Sequence, residues 1–296
     1  MIKIAILGSE NSHCAAFASV LAPKSGEKIF PDLELIGVYG DPNEVGVPEG
    51  NEAVAKKSTC TVFAQDKDAF LAEADAVMVT ARNGANHYKY AENYIKKGIP
   101  VWIDKPITNS TEEVNTMVRQ AQVYGAVLSG GSSLEYAEGI DELAAAVKEA
   151  GENLAGGHVS APVNLDNPYG GFWFYTQHLV GMMTRVFGCD VRAVQALKTQ
   201  TGVHAVYDYG TFTVSAYYGG GYSVSVYTNG YAAQARTMTL GADFFMPELR
   251  TFYEVIKTGK PDKTVKEYIA PVYILEATIA AYEENRKVCI EIPEVL

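Results

Sequence analysis

Cysteine is scarce and scattered, with four in 296 residues at Cys14, Cys60, Cys189 and Cys289 and no C-x-x-C pair. Secreted disulfide scaffolds and zinc clusters need denser spacing, so free thiols in a reducing compartment are expected. Positive charge is short too. Lys and Arg number 24 against 35 Asp and Glu, a formal net charge of −11. Such a field repels nucleic acid and anionic membrane, and no Lys/Arg cluster offsets it. Small molecules are the expected partners. No window approaches the ~18 uninterrupted apolar residues that a membrane span needs. The opening residues Met1–Gly8 run into a strand pattern with no basic stretch or cleavage site, so a cytoplasmic protein is expected. The five histidines show neither i,i+4 nor His-x-His spacing, and no metal site is expected.

What is present is an ordinary globular balance, 48% hydrophobic and 20% charged, over a length sufficient for two domains. Short apolar runs alternate with helical patterns over the first 130 residues, which signals parallel strands joined by crossover helices. Strands are expected at Ile2–Leu7, Leu33–Tyr39, Thr59–Phe63, Ala76–Thr80, Val101–Ile103 and Ala126–Leu128. Helices are expected at Ser12–Leu21, Lys67–Glu73, His87–Lys97 and Thr111–Tyr124. After the small residues Ser129–Ser133 the pattern changes. A helix over Glu135–Ala150 leads into a stretch rich in Tyr, Val, Thr and Gly that runs to about Leu240. There, Thr211–Tyr218 and Tyr222–Tyr227 flank Gly219–Gly221 and read as a hairpin. Helices at Pro247–Lys257 and Glu267–Arg286 and a strand at Val288–Ile292 close the chain. The expected class is therefore α/β. A Rossmann-like parallel-sheet domain spans 1–130, and an α+β domain with a mostly antiparallel open sheet spans 131–296.

A dinucleotide-binding turn normally carries Gly-x-Gly-x-x-Gly between its first strand and helix, so that backbone N–H groups can approach a pyrophosphate. Here the stretch is Gly8-Ser9-Glu10-Asn11-Ser12-His13, and only the first glycine is present. Two readings stand: Asn11 and Ser12 cap the helix and serve the phosphates, or the site has degenerated. A carboxylate at Glu10 repels phosphate unless it points away. Asp41, after the second strand, is placed to grip a ribose diol, favouring NAD without excluding NADP.

Two further segments carry a specific likeness: Ala76–Asn83 followed by His87, and Gly98-Ile99-Pro100-Val101-Trp102-Ile103-Asp104-Lys105-Pro106. They resemble the Gfo/Idh/MocA oxidoreductases, in which the fifth strand ends in Glu-Lys-Pro; Asp104 replaces that Glu here. The domain order and the ending match as well. The resemblance implies an NAD(P)-dependent enzyme acting on a sugar, polyol or cyclitol. In it Lys105 touches nicotinamide and the substrate hydroxyl, and the Lys105–Pro106 bond is cis. It implies cofactor contacts from Gly8, Ser9, Asn11, Ser12, Asp41, Arg82, Asn83, His87, Asp104 and Lys105. His178 matches the family's acid/base histidine, but Phe174 stands where an orienting Asp is usual and Thr176 where a Gly is. Asn164 and Tyr175 are further substrate candidates, and a homodimer or homotetramer is implied. A non-catalytic binding or regulatory protein, or an enzyme using tightly held cofactor for elimination or epimerisation, remains open.

Overall fold

The computed structural model describes residues 1–230, 233–239, 241 and 243–294. The described residues form two compact units, one of Met1–Thr108, Glu113–Gly130 and Phe245–Asp262, the other of Asn109–Glu112, Gly131–Phe244 and Lys263–Leu296.

In the first unit, strands β1 (Ile2–Leu7), β2 (Leu33–Tyr39), β3 (Phe63–Ala64), β4 (Ala76–Val79), β5 (Val101–Asp104) and β6 (Leu128–Gly131) alternate with helices α1 (Ser12–Leu21), α2 (Val47–Lys57), α3 (His87–Lys97) and α4 (Thr111–Tyr124). The sheet order is β3-β2-β1-β4-β5-β6. β1 pairs in parallel with both β2 and β4. Strand order thus reverses between β1 and β4, and the crevice outside the carboxyl ends at such a reversal is where open α/β sheets bind ligands. β1 and β4 are apolar on both faces because helices cover both; Ile4, Ile6, Met78 and Val79 are fully buried. α3 and α4 end as their sequences predict, with Gly98 and Gly125 at φ 79° and 75°.

Four expectations for this unit need correction, the first being the strand expected at Ala126–Leu128, which runs instead over Leu128–Gly131. Lys67–Glu73 is not a helix: Ala69, Leu71 and Glu73 each bond a carbonyl three residues back, giving successive turns opened by Asp66. The strand expected at Thr59–Phe63 is reduced to β3, with Ser58 bonding the Cys60 N–H ahead of it. α2 was not foreseen, since Pro48 and Gly50 disguise it. Gly50 is needed there because a Cβ would lie 1.9 Å from the Ser9 carbonyl, so only glycine lets α2 rest on the first turn.

The second unit holds helices α5 (Ile140–Ala150), α6 (Trp173–Phe187) and α8 (Val265–Glu284). Its strands are β7 (Leu154–Ala161), β8 (Ala193–Lys198), β9 (Val203–Asp208), β10 (Thr213–Tyr218), β11 (Ser223–Thr228), β12 (Ala233–Thr237) and β13 (Val288–Cys289). Sheet order is β12-β11-β7-β10-β9-β8-β13, antiparallel except for the β7–β10 pair. Alternation places Val203, Ala205 and Tyr207 inward beside Val214, Ala216 and Tyr218, against α6 and α8. The expected hairpin does not form. β7 lies between β10 and β11, with Ser160 opposite both Tyr217 and Ser223. The glycine-rich link crosses the end of β7, where Gly219 N–H bonds the Ala161 carbonyl. The helix expected over Glu135–Ala150 is broken into a 3-10 turn at Ser133–Tyr136 and α5, with Gly139 at φ 86° between them. Leu240, the expected end of the β-rich stretch, lies outside the described residues.

Helix α7 (Met246–Thr258) corrects the expected boundary, because it belongs to the first unit although it follows the second in sequence. Leu249, Phe252 and Val255 enter the core formed by Phe17, Phe30 and Trp102. Because Phe252 is fully buried there, Phe252→Ala is expected to cost about 3–5 kcal/mol in urea unfolding. Val123→Ala, on the exposed face of α4, should stay within about 0.5 kcal/mol of wild type. A silent Phe252→Ala would mean that α7 does not dock where it is placed.

Candidate active site

The candidate residues of the first unit gather where β1, β2, β4 and β5 end. Gly8, at φ 107°, leaves β1 so close to β4 that a Cβ would lie 2.3 Å from the Ala81 nitrogen. Its carbonyl accepts from the Thr80 hydroxyl at 2.8 Å. Ser9 turns inward under Gly40 and is buried. Asn11 caps α1, its Oδ1 accepting the His13 N–H at 3.3 Å. Ser12 is exposed on the first helical turn.

Glu10 points away from the turn. Its Oε1 accepts the Arg82 N–H at 2.9 Å, while the Arg82 guanidinium donates to the Glu10 carbonyl oxygen. Burial pushes the Glu10 carboxyl above the ordinary value, and the Arg82 N–H offsets only part of that. The Glu10 carboxyl is thus held on the Arg82 backbone, and the Arg82 guanidinium on the Glu10 backbone carbonyl. Asn83 caps the following turn through Ala85 N–H at 3.1 Å.

Asp41 Oδ1 accepts both the N–H and the side-chain amide of Asn43, each at 3.0 Å, and Lys89 lies 3.3 Å from Oδ2. Burial raises its pKa, but these donors outweigh that and hold the carboxyl below its usual range.

At the end of β5, Asp104 is buried, and Asn11 donates to its Oδ2 at 3.0 Å. His13 Nδ1 lies 2.6 Å from the same oxygen. The Lys105 backbone N–H donates to Oδ1 at 2.7 Å. Burial opposes ionisation of Asp104, yet His13 and Lys105 outweigh it and keep the pKa low. Lys105 itself is 3% exposed, and burial lowers its pKa against the pull of Asp104 and Glu248. The Lys105–Pro106 peptide is cis. Glu248, on α7, is a member of this neighbourhood that sequence reasoning missed. It lies more than 140 positions from Lys105 in a helix whose pattern signals only packing. His87 is fully buried and does not face the crevice; its Nδ1 lies 2.7 Å from the Pro106 carbonyl and its Nε2 2.8 Å from that of Ala81. It joins the turns after β4 and β5. Burial lowers its pKa.

In the second unit His178 lies on α6, and the hydroxyl of Ser132 sits 2.7 Å from its Nδ1. The rings of Tyr175 and Tyr222 flank it at 5.5 and 5.9 Å. Ser132 caps the 3-10 turn in a capping box whose Glu135 accepts from Lys263 at 2.6 Å. Neither Ser132 nor Lys263 was singled out from the sequence. Asn164 is exposed, and its Oδ1 accepts the Asp166 N–H at 3.1 Å, forming a local turn. Tyr175 is 37% exposed.

Residues 2–132 match the oxidoreductase family with an NAD-binding Rossmann fold, GFO_IDH_MocA. No curated protein matches the chain in sequence. Among solved structures, GenD2 from gentamicin A biosynthesis, in complex with NAD, superposes with a TM-score of 0.80 at 17% identity, over 98% of this chain and 96% of that one. Scyllo-inositol dehydrogenase from Lactobacillus casei gives 0.79 at 14%, over 98% of each. A putative myo-inositol dehydrogenase from Sinorhizobium meliloti gives 0.75 at 17%, over 98% and 100%. At these identities the likeness is one of fold.

Asp104→Asn should destabilise the protein by about 3 kcal/mol near neutral pH, because it leaves the donors around position 104 without their anion. A carboxyl with a lowered folded-state pKa stabilises above its unfolded value of 3.8 and loses that contribution as pH falls further. The gap between wild type and variant in urea unfolding should therefore narrow below that pH. A gap of constant size would contradict the assignment.

Proposed function

We propose that the protein is a member of the Gfo/Idh/MocA oxidoreductases, whose NAD-binding Rossmann model residues 2–132 match, and that it acts as an NAD-dependent dehydrogenase of a hydroxylated small molecule, a sugar, polyol or cyclitol. The observation that carries this reading is a buried lysine of lowered pKa at the carboxyl end of β5, close to the strand-order reversal.

The donor set fits a dinucleotide. Glu10 is withdrawn toward Arg82, which removes the repulsion expected of a carboxylate in the first turn. Ser12, Asn11 and the amino end of α1 are proposed to hold the diphosphate, with Gly8 and Ser9 shaping the turn. Asp41 is proposed to hold the adenosine ribose, which favours NAD over NADP. Arg82, Asn83, Asp104 and Lys105 complete the cofactor side, with His87 acting through the two turns it joins. Bound nicotinamide supplies the hydride acceptor. Lys105 then polarises the reacting hydroxyl, and His178 is its acid/base partner. Tyr175 is proposed to pack on the substrate, with Asn164 shaping the loop beside it.

The expected homo-oligomer is proposed to form through the outer face of the second sheet, where Leu197, Val206 and Tyr227 are exposed. A cytoplasmic location accords with free cysteines and with the absence, among the described residues, of a helix long and apolar enough to cross a membrane.

Titration with NADH and NADPH, followed by nicotinamide fluorescence, should give micromolar binding with NADH preferred. Failure of both nucleotides to bind cofactor-free protein would overturn the dehydrogenase reading in favour of a non-catalytic binding protein. Lys105→Met should lower kcat by roughly 10²–10⁴-fold. Because burial disfavours the charged lysine, the same variant should raise stability in urea. Val206→Asp should lower the mass measured by sedimentation; an unchanged mass would exclude this sheet face as the contact.

A further inference from the structure

A catalytic histidine is often oriented by a carboxylate, and a serine hydroxyl in that place is not its equivalent. A carboxylate can only accept a hydrogen bond, so it takes Nδ1–H and leaves Nε2 with a lone pair. A serine hydroxyl can also donate. The surroundings of Ser132 decide which it does. Its Oγ already accepts the Leu134 N–H at 3.2 Å as the cap of the 3-10 turn. Its backbone N–H is held by Glu135 Oε1 at 3.1 Å, and Glu135 is in turn held by Lys263. The residue is fully buried, and among the described residues His178 Nδ1 is the one acceptor within reach of its hydroxyl proton. Were Nδ1 to carry the hydrogen, the serine proton would be left in a dry site without a partner, at a penalty of roughly tenfold or more in population.

We propose that Ser132 is the positioning residue of His178 and holds it as the Nε2–H tautomer, so that the imidazole meets the substrate oxygen as a hydrogen-bond donor. A neutral imidazole can polarise a carbonyl oxygen through its N–H. His178 then enters the reaction on the donor side, and taking a proton at Nε2 would first require the Ser132 hydroxyl to turn away. The assignment rests on the dehydrogenase reading for its substrate, but not for the tautomer.

The test is nitrogen NMR of the full chain labelled with ¹⁵N-histidine, recorded above the ordinary imidazole pKa, with the His178 signals identified by their loss in His178→Gln. The expected wild-type spectrum has hydrogen on Nε2 and a lone pair on Nδ1. Ser132→Thr keeps the hydroxyl and the cap and should preserve that pattern. Ser132→Ala should reduce the tautomer ratio by about tenfold. Ser132→Asp, also a good cap, should invert it to Nδ1–H. Hydrogen on Nδ1 in wild type, or a ratio indifferent to all three substitutions, overturns the proposal. Should wild type fail to bind either nucleotide yet show the Nε2–H pattern, the dehydrogenase reading falls and the tautomer assignment stands.

Discussion

A carboxylate removed from water must be met by donors, and Asp104 is met from several directions at once. Asn11 reaches it while capping α1, His13 reaches it from the first turn of the same helix, and the Lys105 backbone closes on its other oxygen. One buried anion therefore sets the end of β5, the start of α1 and the place of the lysine that follows. Losing it would disconnect three pieces of the crevice, since each donor would keep its desolvation cost without its partner.

The replaced glycines of the first turn make sense within this frame. In the dinucleotide-binding fingerprint, glycines keep the backbone close to phosphate and helix close to sheet. Here the second glycine's place holds a glutamate whose charge is drawn across to Arg82, and the third holds a histidine whose ring is occupied by Asp104 and packed 4.7 Å from Phe245. Both bulky residues are absorbed by partners from the turn after β4, the end of β5 and the cap of α7. The turn retains its exposed serine and its helix end, the features on which anion binding depends.

The second unit shows the same substitution of one interaction by another. With Phe174 where an orienting carboxylate is usual, His178 receives a hydroxyl from the 3-10 turn instead. That turn is held by its own capping box and by the Glu135–Lys263 pair. The sheet beside it buries one face. A polar trio within the core, Tyr207 with Tyr218 and Thr278, is internally hydrogen-bonded, as buried hydroxyls must be.

Periodicity and capping chemistry made much of the first unit legible from residues alone. Ser12–Leu21, Leu33–Tyr39, His87–Lys97 and Thr111–Tyr124 read correctly because apolar spacing and end signals agree there. Lys67–Glu73 and α2 misled because hydrogen bonding over three residues, and a helix carrying Pro48 and Gly50 in its first turns, leave no such agreement. Lys105 was legible from the strand-end motif; Glu248, Ser132 and Lys263 were not, as nothing local marks a residue that acts across a fold. By itself the sequence determined the class of fold and the strand ends beside which Gly8, Asp41 and Lys105 lie. Tertiary structure alone decided that β7 separates β10 from β11, that α7 returns to the first unit, that Glu10 turns to Arg82, and that a serine serves His178. Local patterns are set by neighbours along the chain, whereas pairing order and buried charge are settled by which distant groups can satisfy each other out of water.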